Sequence, residues 1–274
     1  MNFDLSSKGL VNRNGIWYAK KNAPISYPDH GNEVVYHIEE NSFWFNHRNE
    51  CITEVLSKFP PKGAIFDVGG GNGYVSKAIQ DKGFDTVLVE PGETGCLNAT
   101  KRHVDNIICS KLEDTGFAPG TMPAIGVFDV VEHIEDDQAF LKTINEYLQP
   151  DGLMCITVPS YKLLWSKYDE YGGHFHRYTI ASLSAKLKKA GFEILYSTYI
   201  FSLLPLPIFL MRAIPSRLGL IKDAAVVADE ATAHNSGPGM LDKVWAWELN
   251  RIKANKRISF GGSCLIMARK VKQA

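Results

Sequence analysis

Several features that mark other classes of protein are missing from this sequence. Its five cysteines are scattered and odd in number, without a CxxC pair, which argues against a disulfide framework or a zinc knuckle and favours a reducing compartment. The opening stretch MNFDLSSKGL has no apolar core of the signal-peptide type. Thirty basic and thirty acidic residues balance, so no overall charge points to nucleic acid. We therefore expect a cytoplasmic protein that binds no nucleic acid.

A long hydrophobic run is nearly absent as well, with one exception. No residue from 194 to 211 is charged, which reaches the minimum length for a membrane span. We expect no span, because the first half is needed as a strand and Pro205 and Pro207 disrupt helix geometry. The apolar piece from Ser202 to Leu220 is instead expected to cover a lipid-like acceptor, contact a membrane peripherally, dock a partner, or pack on the domain.

The strongest positive signal is the string IFDVGGGNG at residues 65–73. An apolar run with a carboxylate at Asp67 leads into four glycines, and a helical pattern follows from Tyr74. The glycines are Gly69, Gly70, Gly71 and Gly73. Glycine permits turns with positive φ and close approach of a ligand to the backbone, and the N-terminus of the next helix offers free N–H groups. This order of strand, glycine turn and helix predicts a nucleotide site.

Two classes of cofactor compete for such a loop. A dinucleotide fold requires GxGxxG, ending in glycine or alanine, and Tyr74 stands at that last position. Glu90 ends the second predicted strand, TVLVE, and lies about 20 residues beyond the loop, where an acid accepts hydrogen bonds from ribose hydroxyls. A nicotinamide-dependent oxidoreductase therefore stays open as an alternative at this point.

A second group of chemically active residues follows the strand predicted over residues 124–131. The string FDVVEHIED places Glu132 and His133 at the strand end, where they either line a site or cap the helix predicted over residues 136–148. Past the fifth predicted strand, residues 153–158, a loop carries His174 and His176. Loops at the carboxyl ends of parallel strands form the active face, and neutral histidine accepts protons near neutral pH.

Together these motifs resemble those of the class I S-adenosylmethionine (SAM)-dependent methyltransferases, specifically the bacterial ubiquinone/menaquinone-type superfamily. The resemblance runs from about Tyr36 to Lys270 and rests on the glycine loop, FDVVEHIED, GGHFHRYT and the closing FGGSCLIMARK. It implies an α/β fold with a doubly wound, seven-stranded, mostly parallel sheet and an antiparallel last strand. It also implies SAM as cofactor and a small-molecule or lipid-like acceptor that is methylated on oxygen, nitrogen or carbon.

The resemblance assigns cofactor contacts to Asp67 and the four loop glycines. It assigns further contacts to Arg48, Glu90, Pro91, Leu112, Glu113, Phe128, Asp129 and Val130. Related enzymes often read the adenine amino group with an aspartate. Lys111 stands at that place in this sequence, so Glu113, Asp114 or the backbone of Leu112 is expected to substitute. Arg48 suits the cofactor carboxylate, since guanidinium and carboxylate pair well, or else it is solvated.

Catalysis in such an enzyme consists mainly of aligning the acceptor with an already activated methyl group and removing the acceptor proton. His133 is the first candidate base and His174 the second, with Glu132 orienting one of them. One alternative is a metal-assisted O-methyltransferase. Asp129, Glu132 and His133, with His174 or His176, resemble the metal-binding set of small-RNA 2′-O-methyltransferases and some quinone O-methyltransferases, and these side chains suit a divalent ion. A further alternative is a protein with the SAM-binding fold that catalyses no reaction.

The predicted elements divide the chain into three parts. Residues 1–60 form an N-terminal arm, irregular up to Val34, and a cofactor-covering helix at about residues 47–59. Residues 61–200 and 261–274 form the SAM-binding core. Residues 201–260 form an apolar and helical insertion, with a linker over residues 222–239 and an amphipathic helix over residues 240–253. Nothing in the sequence indicates the oligomeric state.

Overall fold

A computed structural model describes residues 5, 8–19, 36–221 and 240–272 of the chain. Within these residues, nine strands form one sheet. The strands are β1 (Val11–Arg13), β2 (Ile16–Tyr18), β3 (Ile65–Val68), β4 (Thr86–Glu90), β5 (Ile107–Cys109), β6 (Met122–Phe128), β7 (Leu148–Pro159), β8 (Phe192–Ile200) and β9 (Ser263–Lys270). Their spatial order is β1-β2-β5-β4-β3-β6-β7-β9-β8. The pairings from β2 to β7 are parallel, and β9 is antiparallel to both β7 and β8.

The predicted class of fold is confirmed by strands β3 to β9. The central strands β3 and β4 are buried along their whole length, as expected of parallel strands covered on both faces. The last strand, β9, is antiparallel as predicted and lies between β7 and β8. All five cysteines are buried free thiols.

Helices cover both faces of the sheet. They are α1 (Phe43–Lys58), α2 (Tyr74–Asp81), α3 (Glu93–Lys101), α4 (Asp137–Tyr147), α5 (Lys167–Tyr171), α6 (Ile180–Lys189), α7 (Pro205–Ile208), α8 (Ile214–Arg217) and α9 (Met240–Lys253). Ile65 packs with α1, α2 and α9, whereas its neighbour Phe66 packs with α4 and α6. Because successive strand side chains point to opposite faces, these two clusters are the two core layers.

The N-terminal arm was predicted to be irregular, and that prediction is wrong for residues 11–18. β1 and β2 form an antiparallel hairpin, and β2 extends the sheet by pairing in parallel with β5. Asn14 and Gly15 connect the two strands, with φ of 53° and 87°. An Asn-Gly pair with positive φ at both residues is the preferred two-residue hairpin turn. In the part of the chain that the structure describes, the sheet therefore has nine strands rather than the predicted seven.

The insertion is helical where prolines were expected to prevent a helix. Residues 205–217 run through α7, a π-helical turn (Phe209–Ala213) and α8. Pro205 and Pro207 lie in the first turn of α7, where the missing N–H groups have no helical partner to lose. No helix within the described residues is both long and apolar enough to cross a bilayer. The linker predicted over residues 222–239 lies outside the described residues.

A buried carboxylate ties the insertion to the helix over the core. Glu248 on α9 is fully buried; it accepts hydrogen bonds from the backbone N–H groups of Phe201 (2.8 Å) and Ser202 (2.6 Å) and pairs with His47 Nε2 on α1 (2.9 Å). Trp245 stacks on His47 with ring centroids 4.9 Å apart. These contacts join α9 to the exit of β8. The division of the chain into three parts stays a prediction.

Candidate functional site

The glycine loop makes the turn that its sequence predicts. It leaves β3 through Gly69, whose φ is 74°, and enters α2 through Gly73, whose φ is 72°. At Gly70 there is no room for a side chain, because a Cβ atom would collide with Leu88 and would lie 2.6 Å from Oδ2 of Asp67. A backbone without side chains therefore faces the carboxyl edge of the sheet, next to the N-terminus of α2.

Glu90 holds this loop from the end of the neighbouring strand β4. One carboxylate oxygen accepts a hydrogen bond from the backbone N–H of Gly71 (2.9 Å), and the other accepts one from the N–H of Gly92 (2.7 Å). The side chain is buried. The sequence predicts that Glu90 and the glycine loop belong to one site. In the structure they are hydrogen-bonded to each other through the N–H of Gly71.

Asp67 lies fully buried below the loop, at the third position of β3. Its Oδ2 accepts a hydrogen bond from Ser76 Oγ (2.7 Å), whereas its Oδ1 has no hydrogen-bond partner within the described residues. Burial raises the pKa of this carboxyl to about 6, against the hydrogen bonds from Ser76 and the charge of Arg48, which lower it. A buried acceptor without a donor is costly, so this oxygen is suited to a cationic or N–H group of a bound ligand.

The raised pKa of Asp67 predicts a pH-dependent stability. A carboxyl whose pKa rises on folding contributes most below its unfolded pKa of about 4, and the contribution is lost as the pH rises through about 6. Relative to Asp67→Asn, we expect the wild-type free energy of unfolding to fall by about 2 kcal/mol from about pH 4 to about pH 7. Urea denaturation of both proteins across this range measures it. If the difference in free energy of unfolding between wild type and Asp67→Asn stays constant across this pH range, the raised pKa of Asp67 is wrong.

Arg48 and Asp129, both predicted cofactor contacts, are paired with each other. The distance from Arg48 Nη1 to Asp129 Oδ2 is 2.6 Å, and the two side chains are 7% and 17% exposed. The guanidinium also lies over the rings of Trp44 (4.9 Å) and Phe45 (5.1 Å), so Arg48 is not a solvated surface residue. Asp129 has φ of 55°, in the left-handed region that few non-glycine residues adopt.

Glu132 and His133 lie on the 3-10 turn Val131–His133 that follows β6. They do not cap α4, because the Asp136 side chain takes that place by accepting from the N–H of Ala139 (3.0 Å). Glu132 is 1% exposed, and its Oε2 has no hydrogen-bond partner within the described residues. Burial, together with the charge of Asp129, raises its pKa well above the ordinary value. The capping alternative is therefore excluded for both residues.

The two predicted histidines meet at this turn. The rings of His133 and His174 contact edge to face, with centroids 4.7 Å apart. One ligand atom from each of Glu132, His133 and His174 lies within 4.8 Å of the others. Burial, followed by the proximity of His174, lowers the pKa of His133 to about 4, so its imidazole is neutral at physiological pH.

A carboxylate that sequence reasoning did not single out supports His174. Asp169 on α5 has a completely buried side chain, and its Oδ1 lies 3.0 Å from His174 Nδ1 and 2.5 Å from Arg177 Nε. Burial raises the pKa of Asp169, but the hydrogen bond from His174 and the charge of Arg177 outweigh it and keep the pKa below its ordinary value. In the sequence, Ser166 and Asp169 have the S-x-x-D spacing of a capping box, a local signal that distinguishes Asp169 from its neighbour Glu170.

The remaining predicted residues lie in different surroundings. Phe128 and Val130 flank the end of β6, and Val130 packs against Gly69 so closely that a Cβ there would lie 2.8 Å from its Cγ2. Leu112 is a core residue, 3% exposed, whereas Glu113 is exposed beside it. Pro91 directly follows Glu90, between β4 and α3, and is partly buried. His176 Nε2 lies 3.1 Å from the carbonyl oxygen of Glu135, outside the triad of Glu132, His133 and His174.

A further polar network surrounds the glycine loop and has no counterpart among the predicted residues. Asn72 donates from Nδ2 to Glu39 (3.3 Å), and Arg102 pairs with Glu39 (2.5 Å) and donates to the carbonyl of Asn72 (3.1 Å). Glu39 and Arg102 are each 6% exposed. This network joins the described residues before α1 to the loop. Charged residues 63 positions apart in sequence carry no local signal of such a pairing.

The sequence matches a known family over residues 43–197, described as a methyltransferase domain. The matched segment is more than half of the chain and contains α1, the glycine loop, Glu90 and the His133–His174 contact. The chain belongs to the methyltransferase domain family. Because the chain belongs to this family, we assign it methyl transfer. The sequence of the glycine loop alone was also compatible with hydride transfer.

Similar proteins agree with this placement. A probable S-adenosylmethionine-dependent methyltransferase of Mycolicibacterium smegmatis is 23% identical over 175 residues, 62% of this chain and 67% of that protein. A ubiquinone biosynthesis O-methyltransferase of Azorhizobium caulinodans is 29% identical over 163 residues, 49% of this chain and 60% of that protein. A solved complex of Haemonchus contortus phosphoethanolamine N-methyltransferase 2 with phosphomonomethylethanolamine and S-adenosylhomocysteine has a TM-score of 0.56 at 18% identity, covering 89% of this chain and 58% of that one.

The matches to the two sequence relatives cover about two thirds or less of those proteins. This methyltransferase is SAM-dependent, in agreement with its family and with the description of the mycobacterial relative. The predicted resemblance to the class I SAM-dependent methyltransferases is thereby confirmed.

Proposed function

We propose that this methyltransferase transfers a methyl group from SAM to a hydroxyl oxygen of a small-molecule or lipid-like acceptor. The observation that carries the proposal is the contact between His133 and His174, 4.7 Å apart between ring centroids, at the end of the strand whose Val130 packs on the glycine loop. A hydroxyl is a weak nucleophile until its proton is removed. Two imidazoles beside the cofactor loop are suited to that removal.

The cofactor fits the residues present. Asp67 Oδ1 is a buried acceptor without a donor in the described residues, and Gly69, Gly70 and Gly71 give the loop a backbone without side chains that a ligand can approach closely. Glu90 would hold the ribose hydroxyls, because a carboxylate oxygen can accept more than one hydrogen bond. Arg48, now paired with Asp129, would bind the methionine carboxylate. When bound, SAM supplies an activated methyl group.

His174 is the better placed of the two candidate bases. Its Nδ1 is hydrogen-bonded to the buried carboxylate of Asp169, which stabilises the imidazolium formed when the other nitrogen accepts a proton. At His133, by contrast, burial disfavours the charged form and lowers the pKa to about 4. We propose His174 as the proton acceptor and His133, with Glu132, as the residues that line the acceptor site around it.

Incubation with methyl-labelled SAM and a panel of acceptors tests the proposal. The panel contains phenols, quinols and hydroxylated lipids beside matched amines and carbon nucleophiles. We expect the mass of one labelled methyl group to appear on a hydroxyl compound and not on its amine counterpart. Labelled amines or carbon acceptors, with hydroxyl compounds unmodified, would contradict O-methylation. Isothermal titration with SAM checks the cofactor separately from the acceptor.

Metal-assisted O-methylation is a second candidate, favoured by a specific observation. Glu132, His133 and His174 present three ligand atoms within 4.8 Å of one another, and Glu132 Oε2 is buried without a partner in the described residues. A divalent ion held there would lower the pKa of a bound hydroxyl. Asp129 and His176 were also expected to bind the metal. Instead, Asp129 forms an ion pair with Arg48, and His176 is hydrogen-bonded to the carbonyl oxygen of Glu135. Elemental analysis of the purified protein and activity in a chelator separate the two candidates.

We also propose that the insertion contacts an anionic lipid surface peripherally. Large apolar side chains on residues 202–221 are exposed: Leu206 64%, Leu210 52%, Met211 75%, Leu218 66% and Leu220 70%. Arg212 and Arg217 are the charged residues from 194 to 221, and both are basic. Apolar side chains combined with basic ones suit the interface of an anionic bilayer.

Vesicle co-sedimentation tests this contact. Wild type should sediment with vesicles that contain phosphatidylserine more than with phosphatidylcholine alone, and Met211→Asp should weaken the binding. The exposed Lys253→Gln on α9, which lowers the net charge by one unit as Met211→Asp does, is the control for charge. Equal recovery of wild type in the supernatant with both kinds of vesicle would contradict the proposal.

A further inference from the structure

A buried acid near the predicted site that sequence reasoning did not assign is Asp169. Its Oδ1 lies 3.0 Å from His174 Nδ1 and 2.5 Å from Arg177 Nε. Its Oδ2 accepts from the backbone N–H of Ser166 (2.9 Å) and from the Ser166 hydroxyl (3.3 Å). The side chain is completely buried. Both oxygens are therefore held in place before any ligand arrives.

These contacts determine which nitrogen of His174 carries the proton. An ionised carboxylate only accepts hydrogen bonds, and Arg177 only donates them. Since Asp169 Oδ1 is the acceptor for both neighbours, the His174 Nδ1 that faces it must be the donor. In neutral imidazole the other nitrogen, Nε2, is then an acceptor. The hydrogen-bond partner of one ring nitrogen thus sets the function of the other.

The same group is fixed to the carboxyl edge of the sheet. Arg177 donates from Nη1 to the carbonyl of Ser160 (3.0 Å), immediately after β7. The loop that carries His174 is also tied to the turn after β6, because the N–H of Phe175 donates to the carbonyl of Glu132 (2.7 Å). Two strand ends therefore hold the imidazole of His174 against the ring of His133.

We propose that Asp169 is a positioning residue that fixes His174 as the Nδ1–H tautomer and presents its unprotonated Nε2 to the acceptor. Arg177 holds Asp169 in place and balances its charge. The proposal rests on the proposed function in one respect, the use of His174 on the acceptor. Its structural part, the tautomer, is independent of any acceptor or turnover.

Nitrogen-15 NMR of the histidine side chains tests the tautomer directly in the wild-type protein, at mildly alkaline pH. The His174 signals are assigned by their loss in His174→Gln. We expect the pattern of a protonated Nδ1 and an unprotonated Nε2 in the wild type. In Asp169→Ala, which removes the acceptor that faces Nδ1, the Nδ1–H form should no longer dominate. A protonated Nε2 in the wild type would overturn the proposal even if the Asp169 variant does not fold.

Glu170→Gln is the matched control, since Glu170 is the exposed acid next to Asp169 and its loss should leave the tautomer unchanged. Once an acceptor is known, Asp169→Asn should lower kcat roughly 10- to 100-fold with little change in the KM for SAM. In a His174→Ala background it should cause no further loss, because it acts through His174. An equal loss in both backgrounds would show a general structural role and overturn the proposal. Failure to methylate any hydroxyl would count against the proposed function alone.

Discussion

Replacing Glu90 by alanine is expected to raise the SAM dissociation constant about 100-fold, the loss of roughly 2–3 kcal/mol that follows from removing hydrogen bonds to a charged acceptor. The carboxylate would bind the ribose and also holds the N–H groups of Gly71 and Gly92. The variant therefore loses both a ligand contact and the support of the loop. Isothermal titration of SAM into the purified variant measures the effect without any acceptor.

Glu93→Ala is the matched control for this experiment. Glu93 is an exposed acid three positions further on, at the start of α3, and it accepts a hydrogen bond from the Tyr18 hydroxyl (3.2 Å). Its removal changes the local charge as Glu90→Ala does, but it removes no contact to the loop. Equal affinities of wild type and Glu90→Ala would mean that the ribose lies elsewhere, and the assignment of the second strand end would be wrong.

His174→Ala should lower kcat by about 100- to 10,000-fold, the range expected for loss of a general base. The dissociation constant for SAM should stay nearly unchanged, since this side chain contacts His133 and Asp169 and not the glycine loop. The measurement is steady-state methyl transfer to the acceptor found by the labelling screen, with SAM binding followed in parallel.

His176→Ala serves as the control, because His176 lies two residues away and its Nε2 is hydrogen-bonded to the carbonyl of Glu135. Its kcat should remain close to that of wild type. Should His133→Ala abolish turnover while His174→Ala remains active, the base would be His133 rather than His174. Loss of SAM binding in both variants would instead indicate a structural role for the pair.

The cofactor loop was predictable because its chemistry is local. Four glycines directly after an apolar strand restrict the backbone to a tight turn, and the acid Glu90 stands at a distance along the chain that reflects one strand-helix-strand unit. Both features are properties of short segments. The structure adds that Glu90 binds the loop itself, through Gly71, which neither segment shows alone.

The pairings between distant charged residues could not be predicted in the same way. Arg48 was assigned to the cofactor carboxylate and Asp129 to the cofactor, yet the two residues, 81 positions apart, bind each other. Asp169 supports His174 from a helix of five residues, and its neighbour Glu170 has the same chemistry and is exposed. The capping-box spacing of Ser166 and Asp169 is a local signal for Asp169, but its contacts with His174 and Arg177 depend on packing against the rest of the fold.

Two errors had other causes. The Asn14-Gly15 turn is a local hairpin signal, and it was overlooked because the surrounding composition suggested irregular chain. Pro205 and Pro207 were taken as helix breakers, although proline is tolerated in the first turn. In both cases the effect of a residue on the backbone depends on its position within a helix or turn. The sequence did not show where the hairpin strands or the helix begin, so these positions could not be assigned.

The place of β9 between β7 and β8 has a consequence for biosynthesis. Within the described residues, β8 pairs with one strand, β9. These two strands are far apart in sequence, because β8 ends at Ile200 and β9 begins at Ser263. A nascent chain can pair β3, β4, β5, β6 and β7 as they emerge, but β8 has no neighbour until Ser263–Lys270 has left the ribosome. Until then the exposed edge of β7 is open to pairing with other chains. Chaperone contact during synthesis should concentrate on this interval.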